Sequence, residues 1–348
     1  MKMKKSLPFA TAFIVPLIAG LAVFSRGAWL LVPPFFLFVL TPALDLFLAP
    51  TTADPEPNDR PRDARYDVWL WAWVPLQLAI QVAALVIGAR ASSPGELVGV
   101  MFATGLLGAI GINVAHELMH RRGAPERALA EVIMTSVAYT HFCVEHVLGH
   151  HKNVATPNDP ASARPGESIL HFLPRSIALS LVSAWHLEGL RVRRVGARAL
   201  ADRRVRYPLV LALVVAGVVA ALGPMGLLVF AGQSLVAVLL LETINYVEHY
   251  GLQRTESAPG VFERVDPAHS WTSAHAMTSW YLFNLPRHAD HHAQASRPYY
   301  ALRHLPQSPQ LPAGYATMLV VAWAPPLWRA IMDKRVDALR TSAAASMR

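Results

Sequence analysis

Six runs of apolar residues separated by short polar breaks dominate the chain: 7–24, 28–48, 68–89, 97–119, 207–222 and 225–246. Each approaches or reaches the length at which a helix crosses a hydrocarbon layer of ~30 Å. They pair through breaks at Ser25 to Gly27, Arg90 to Glu96 and Gly223-Pro224, a pattern that predicts three helical hairpins. A further run, 128–144, carries Glu131 and His141 and reads as an interfacial or bundle-buried helix instead of a span. Prolines 16, 33, 34, 42 and 75 fall inside the spans, where neighbouring helices can satisfy the carbonyls they free. The first run follows a basic Met1 to Lys5 but is long for a signal-peptide core. No small-residue cleavage motif follows it, so it is expected to be a retained helix.

Charge gives the pattern a direction. Of 31 lysines and arginines, only Arg26 and Arg90 lie in the three hairpin turns. The positive-inside rule therefore places both termini, the 49–67 loop, the 120–206 segment and the 247–348 tail in the cytoplasm. The expected fold is all-α: one integral membrane domain over 1–348, with six transmembrane helices and a cytoplasmic helical cap, in the inner membrane. With 53% hydrophobic and 16% charged residues, the net charge of +8 belongs to membrane topology and not to nucleic-acid binding. A single cysteine, Cys143, excludes an intramolecular disulfide and a cysteine-only metal site.

Histidine changes the picture most. Nine of the 15 histidines fall in four motifs: His116-Glu-Leu-Met-His120, Glu145-His-Val-Leu-Gly-His-His151, Asn245-Tyr-Val-Glu-His-Tyr-Gly251 and His288-Ala-Asp-His-His292. Each motif sits at or beyond the cytoplasmic end of an expected helix. On a helix, 116/120, 146/150 and 288/292 would each aim two imidazoles at one point. His151, and His291 beside His292, would point about 100° away, toward a second metal. One histidine alone is ordinarily a hydrogen-bonded or exposed side chain; nine at helical spacing on one membrane face are not. Imidazole suits iron, zinc and copper, but nine ligands exceed the four of one zinc and suit two metals of higher coordination number. His116-Glu-Leu-Met-His120 also fits the H-E-x-x-H motif of a zinc metalloprotease with Glu117 as base, a reading that leaves some six clustered histidines without a purpose.

These motifs resemble those of the membrane alkane monooxygenases (alkane hydroxylases), within the histidine-box superfamily of membrane desaturases and hydroxylases. The likeness extends through Glu145 to Arg164, Asn245 to Arg254, Leu282 to His292, Leu311-Pro-Ala-Gly-Tyr315 and Pro325-Pro-Leu-Trp328. It implies a six-helix bundle with two non-haem irons that hydroxylates the terminal carbon of a medium-chain alkane with O2 and electrons from rubredoxin. The implied ligands are His116, His120, His146, His150, His151, His249, His288, His291 and His292. The chain departs from the family pattern at Leu118-Met-His-Arg121, Val147-Leu148 and Ala274. Aromatic-methyl hydroxylases such as xylene monooxygenase are related, and a fatty-acyl desaturase is the other competing activity.

Glu117, Asp159, Glu242, Glu248 and Asp290 lie in or beside the boxes and could accept the second N–H of a ligand histidine, or serve as structural carboxylates. His275 ranks highest among the remaining histidines as a nearby supporting group. Trp69, Trp71, Trp73, Leu106 and Ile110 are candidate walls for a tunnel admitting an apolar substrate from the bilayer. No flavin, nicotinamide or cysteine-quartet signature is present, so electrons would come from a separate rubredoxin or ferredoxin and its reductase. Arg191, Arg193, Arg194, Arg198, Arg203, Arg204 and Arg206 could steer such an acidic donor or attract anionic lipid heads.

Overall fold

Apolar runs too long to be exposed and too regular to be loops become helices whose ends are fixed by polar caps. The computed structural model describes residues 6–54, 63–196 and 199–346. The first two helices are α1 (Leu7–Ser25) and α2 (Gly27–Phe47). Next, α3 (Ala64–Gly88) starts at Asp63, whose side chain accepts from Arg65 N, and α4 (Pro94–Met119) starts at Ser93, whose hydroxyl accepts from Glu96 N. Arg26 in the α1–α2 turn pairs with Glu96 at 3.4 Å, so the two turns meet at one end of the bundle.

The 128–144 run is not one helix. Helix α5 (Ala124–Ser136) stops because Ala138 takes a left-handed conformation (φ 53°), with Tyr139 N bonded to Met134 O and Ala138 N to Thr135 O. This is a Schellman ending, usually marked by glycine; alanine gave no such signal. The chain re-enters a helical stretch, α6 (142–153), whose middle turn His146–His150 is π-helical. Then come α7 (Ile169–Val195) and α8 (Arg203–His249).

Helix α8 contains both expected spans, broken at Gly223 (φ 67°, ψ −164°). Tyr207, Val210 and Val214 of its first half line one cavity with Phe230 and Gln233 of its second, so the chain doubles back at the break. Thus α1, α2, α3, α4 and α8 are the helices long and apolar enough to cross a membrane among the described residues. The short elements α9 (Ala276–Tyr281), α10 (His288–Ala293), α11 (Tyr315–Ala322) and α12 (Pro325–Ser346) follow. The fold is all-helical as expected, and one small antiparallel hairpin, β1 (Glu256–Ala258) with β2 (Val261–Phe262), is the sheet found among the described residues.

Helix α4 is the central column. At Gly105 the backbone of α8 comes so close that a Cβ would collide with Val236, and at Gly111 it would collide with the Gln77 side chain of α3. Small residues thus permit backbone-level packing where no hydrophobic drive operates between helices in lipid. Buried Asp45 of α2 accepts from the backbone N–H of Thr278 at 3.1 Å and from its hydroxyl, fastening α9 to the bundle. Buried Arg287 donates to the carbonyls of Leu302, Thr51 and Ala53. At the far side Trp328 packs on Tyr246 and Tyr250, with ring centroids 5.1 and 5.2 Å apart, holding α12 on α8.

The basic stretch before α8 is largely engaged within the chain. Arg191 and Arg203 both bind the buried Glu188, Arg204 binds Asp202, and Arg206 binds Glu131. Arg193 and Arg194 are exposed, and Arg198 lies outside the described residues. Burial opposes the charge of Glu188, but its hydrogen bonds from Arg191 and Arg203 hold the carboxyl down at about 2. A carboxylate depressed in this way contributes stability above its ordinary value of 4.5 and loses it as pH falls toward about 2. Glu188→Gln should lower the melting temperature by roughly 5 °C near neutral pH, allowing for the partial exposure of both arginines. The deficit should narrow in acid, where the parent loses the same contact; equal melting temperatures near neutrality would remove Glu188 as the α7–α8 clamp.

Candidate metal centre

Four helix ends deliver imidazoles to one place. His116 and His120 come from the last turn of α4, His249 from the last residue of α8, His146, His150 and His151 from α6, and His288, His291 and His292 from α10. They form two groups: His116, His120, His146, His151 and His291 in one, His150, His249, His288 and His292 in the other. In both, the convergent atoms are Nε2. Neighbouring Nε2 atoms lie 3.0–3.2 Å apart, as in His116–His291 (3.0 Å), His120–His146 (3.1 Å), His288–His292 (3.0 Å) and His150–His292 (3.2 Å).

The grouping follows local helix geometry. Positions 116/120 and 288/292 share a group, as α-helical spacing predicts, and adjacent His291 and His292 separate. Positions 146/150 do not share one; His146 is grouped with His151 instead. The π turn at His146–His150 widens the helical repeat toward five residues and swings His151 under His146. Such a turn has no signature in the sequence.

The donor set fits metal ions. Two nitrogens at ~2.1 Å from a metal are ~3.0 Å apart at right angles and ~3.4 Å apart at a tetrahedral corner. The observed spacings match right-angled corners and therefore suit five- or six-coordinate ions better than tetrahedral zinc. Burial and neighbouring imidazoles push His146, His151, His288, His291 and His292 well below the ordinary histidine value, and His120 down to about 3. Neutral imidazole is the metal-binding form. Burial opposes charge at His150 and Asp159 as well, but their contact (Nδ1 to Oδ2, 2.9 Å) prevails, raising the histidine and lowering the carboxylate.

The carboxylates divide by what they touch. Asp159 fixes the His150 ring and is itself held by the Ser162 hydroxyl at 2.6 Å. Glu117 accepts from Tyr299 N at 3.1 Å, and its other oxygen is 4.0 Å from the outward Nδ1 of His116. It stands on the wrong side of that ring to act on a metal-bound water, against the metalloprotease reading. Glu242 is bound by Tyr139, Ser176 and Asn245, with no imidazole in hydrogen-bond contact. Asp290 does not serve an imidazole: Arg297 and Arg303 occupy both its oxygens, because two guanidiniums outcompete a neutral ring. His275 bonds to Ser273 at 2.7 Å, away from both groups' converging atoms.

Glu248 differs from the expectation in a useful way. Its Oε2 is 3.3 Å from Nε2 of His288, on the converging side of that ring, yet it is not among the donors that converge in the smaller group, so it stands beside the four imidazoles. Its position immediately before His249 was the only sequence signal. Below the centre, a narrow apolar cavity of about 30 Å³ is lined by Leu37, Phe38, Leu106, Ile110, Ile244 and Tyr281, among others. Ile110 is six residues before His116, or ~9 Å along α4. Leu106 and Ile110 thus stand where a tunnel wall was expected; Trp69, Trp71 and Trp73 do not line this cavity.

The fatty acid desaturase family model matches residues 92–322. Alkane 1-monooxygenase 1 of Pseudomonas aeruginosa is 49% identical over 236 residues, covering 67% of this chain and 62% of that protein. Alkane 1-monooxygenase 2 of the same organism is 41% identical over 319 residues, covering 89% of this chain and 84% of that protein. The xylene/toluene monooxygenase hydroxylase component XylM of Pseudomonas putida is 28% identical over 247 residues, 70% of this chain and 65% of that protein. The chain therefore spans a little under two thirds of the first relative's length and most of the second's.

The two aspartates give opposite expectations. Asp159→Asn should weaken metal binding at one group by roughly 10–100-fold in a competitive chelator titration, because it removes the charge from the acceptor that orients the His150 ring. Asp290→Asn should leave both affinities near those of the parent. Equal effects of the two substitutions would contradict these assignments.

Proposed function

Because the chain belongs to the alkane monooxygenase branch of the fatty acid desaturase family, we propose that it is a membrane-embedded non-haem di-iron monooxygenase acting on the terminal methyl of a medium-chain alkane. One atom of O2 enters the C–H bond to give a 1-alkanol. The other leaves as water with two electrons and two protons. The observation that carries this reading is the pairing of the two imidazole groups with an apolar cavity beneath them, at the end of lipid-compatible helices.

Iron supplies the redox chemistry that an unactivated C–H bond requires, since such a bond has neither an acidic proton nor a leaving group. The protein's residues do the rest. Nine imidazoles would hold two ions, and Asp159 keeps His150 in the tautomer that directs Nε2 inward. Apolar walls at Leu106 and Ile110 orient the chain by its methyl end and exclude water from the reacting carbon. We read α1, α2, α3, α4 and the two halves of α8 as six crossings, with both termini and the metal centre in the cytoplasm of an inner-membrane protein. That side supplies a rubredoxin or ferredoxin. With Arg191, Arg203, Arg204 and Arg206 paired internally, Arg193 and Arg194 are what the described residues of that stretch offer such a donor. The greater identity to alkane 1-monooxygenases than to the xylene/toluene enzyme favours an alkane over an aromatic methyl.

The test is metal analysis of the purified chain followed by turnover of octane, dodecane and xylene under ¹⁸O2 with a rubredoxin, a ferredoxin and their reductases. The expected result is two irons per chain and a labelled 1-alkanol that forms only with O2 and a donor. An alkene product would make the chain a desaturase, and zinc with peptide cleavage would make it a protease.

A further inference from the structure

Helix α7 (Ile169–Val195) is not one of the helices long and apolar enough to cross a membrane, yet its outer face is not that of a helix in water. Between Arg175 and Glu188 it carries no charged residue. The side chains it turns away from the bundle are apolar: Leu170 and Leu181 are exposed, Val182 is 64% exposed and Trp185 52%. At about 100° per residue these four positions fall within about 120° of one another, so they form one stripe. A helix surrounded by water would carry charge on that side, and a continuous apolar stripe marks a surface that something covers.

Contacts of the inner face fix the depth of α7. Near its start, Ser176 donates to Glu242 of α8 at 2.5 Å, and Phe172 packs on Tyr246 with ring centroids 5.3 Å apart. Near its end, Glu188 grips Arg203 at the beginning of α8, 2.7 Å away. Gly223 is the reversal between those two parts of α8. Glu242 and Arg203 stand about 20 residues to either side of it, so both lie ~30 Å from the turn at the helical rise, which is the thickness of the hydrocarbon layer. Pinned at both ends to one depth, α7 runs across the end of the α8 hairpin and not through the bilayer. Val205, Leu209 and Leu213, exposed along the first half of α8, carry the apolar surface on from that level toward the turn.

We propose that α7 lies in the plane of the leaflet on the metal-centre side, its outer stripe seated among the upper acyl chains, Trp185 at the interface, and Arg193 and Arg194 at headgroup level, open to water. The occupant is lipid because the stripe stands at the depth where the hydrocarbon layer ends and continues into the exposed apolar side of α8. The two exposed arginines at its end suit anionic headgroups. On its other side α7 supports the metal-bearing α6: Ser183 donates to Glu145 at 3.4 Å, and Leu187 lies against Gly149 in the π turn. One layer of side chains therefore separates the leaflet from the turn that carries His146 and His150. This rests on α8 crossing the bilayer twice and is independent of the metal and the substrate.

The experiment uses the full chain in nanodiscs of phosphatidylcholine and phosphatidylglycerol, with a nitroxide attached at Val182→Cys, Leu213→Cys or Glu256→Cys. All three positions are exposed, so the label displaces no packed side chain, and the parent, whose Cys143 is buried, is the labelling blank. Power saturation compares collisions with O2, which concentrates in lipid, against collisions with a water-soluble nickel chelate. The ratio of O2 to nickel collisions should be greatest at 213 and lowest at 256. At 182 it should exceed the value at 256 several-fold and report a depth of ~5–10 Å in the boundary region. An aqueous reading at 182 beside a lipid reading at 213 would overturn the proposal alone. Aqueous readings at both would overturn it together with the double crossing on which it rests. Dipolar broadening at 182 that disappears on dilution with unlabelled chain would overturn it in favour of a contact between two copies.

Discussion

Nine imidazole lone pairs directed at two points inside a buried, largely apolar region are the constraint around which this fold is organised. One proton can join two such nitrogens 3.0–3.2 Å apart, but four or five rings converging on one point cannot all be satisfied in that way, so a metal ion is the group the arrangement fits. The surrounding structure holds them together. Helices α4 and α8 end where their histidines are needed, and a glycine seam lets their backbones approach. The non-helical parts are stitched down: Asp45 holds α9, Arg287 holds the segment after α2 against the α10 loop, and Arg254 ties the loop after α8 to Lys152 O at 2.9 Å. None of these three touches the converging nitrogens, yet each fixes the path of a segment that carries or flanks them.

The same arrangement explains why the centre sits at the ends of membrane-length helices. An apolar chain partitions into lipid, and the small apolar cavity lined by Leu106 and Ile110 lies along α4 below His116. The soluble electron donor proposed above would approach from water, and a centre at the boundary would serve both. The arginine-rich stretch before α8 proves to be mainly a structural device, with Glu188 gripping Arg191 and Arg203, so donor recognition has fewer free charges to work with there than the composition suggests.

Much of this was legible in the sequence because it rests on periodicity and composition. The apolar runs marked α1, α2, α3, α4 and α8 to within a few residues and Gly223-Pro224 marked the reversal within α8, whereas α7 and α12 mix apolar and charged residues and carried no such run. Histidine spacing selected the nine residues that the structure brings together in two groups. What escaped depends on local backbone geometry or on competition between partners. The π turn at His146–His150 exchanged the groups of two histidines, and the left-handed Ala138 ended α5 without a glycine. Asp290 reads as an imidazole partner in the sequence, but Arg297 and Arg303, seven and thirteen residues further on, hold it instead. Glu248 was recognisable as a nearby carboxylate; that it faces the inward nitrogen of His288 could come only from coordinates.

Two groups of five and four imidazoles, with near right-angled spacing, are proposed to hold two iron ions. X-ray absorption at the iron edge of the metal-loaded chain tests it most directly. The account predicts first-shell nitrogen and oxygen scattering only, no sulfur, and imidazole outer-shell signals averaging between four and five rings per iron. A spectrum with two or fewer imidazoles per iron, or a four-coordinate tetrahedral site at one metal per chain, would contradict it.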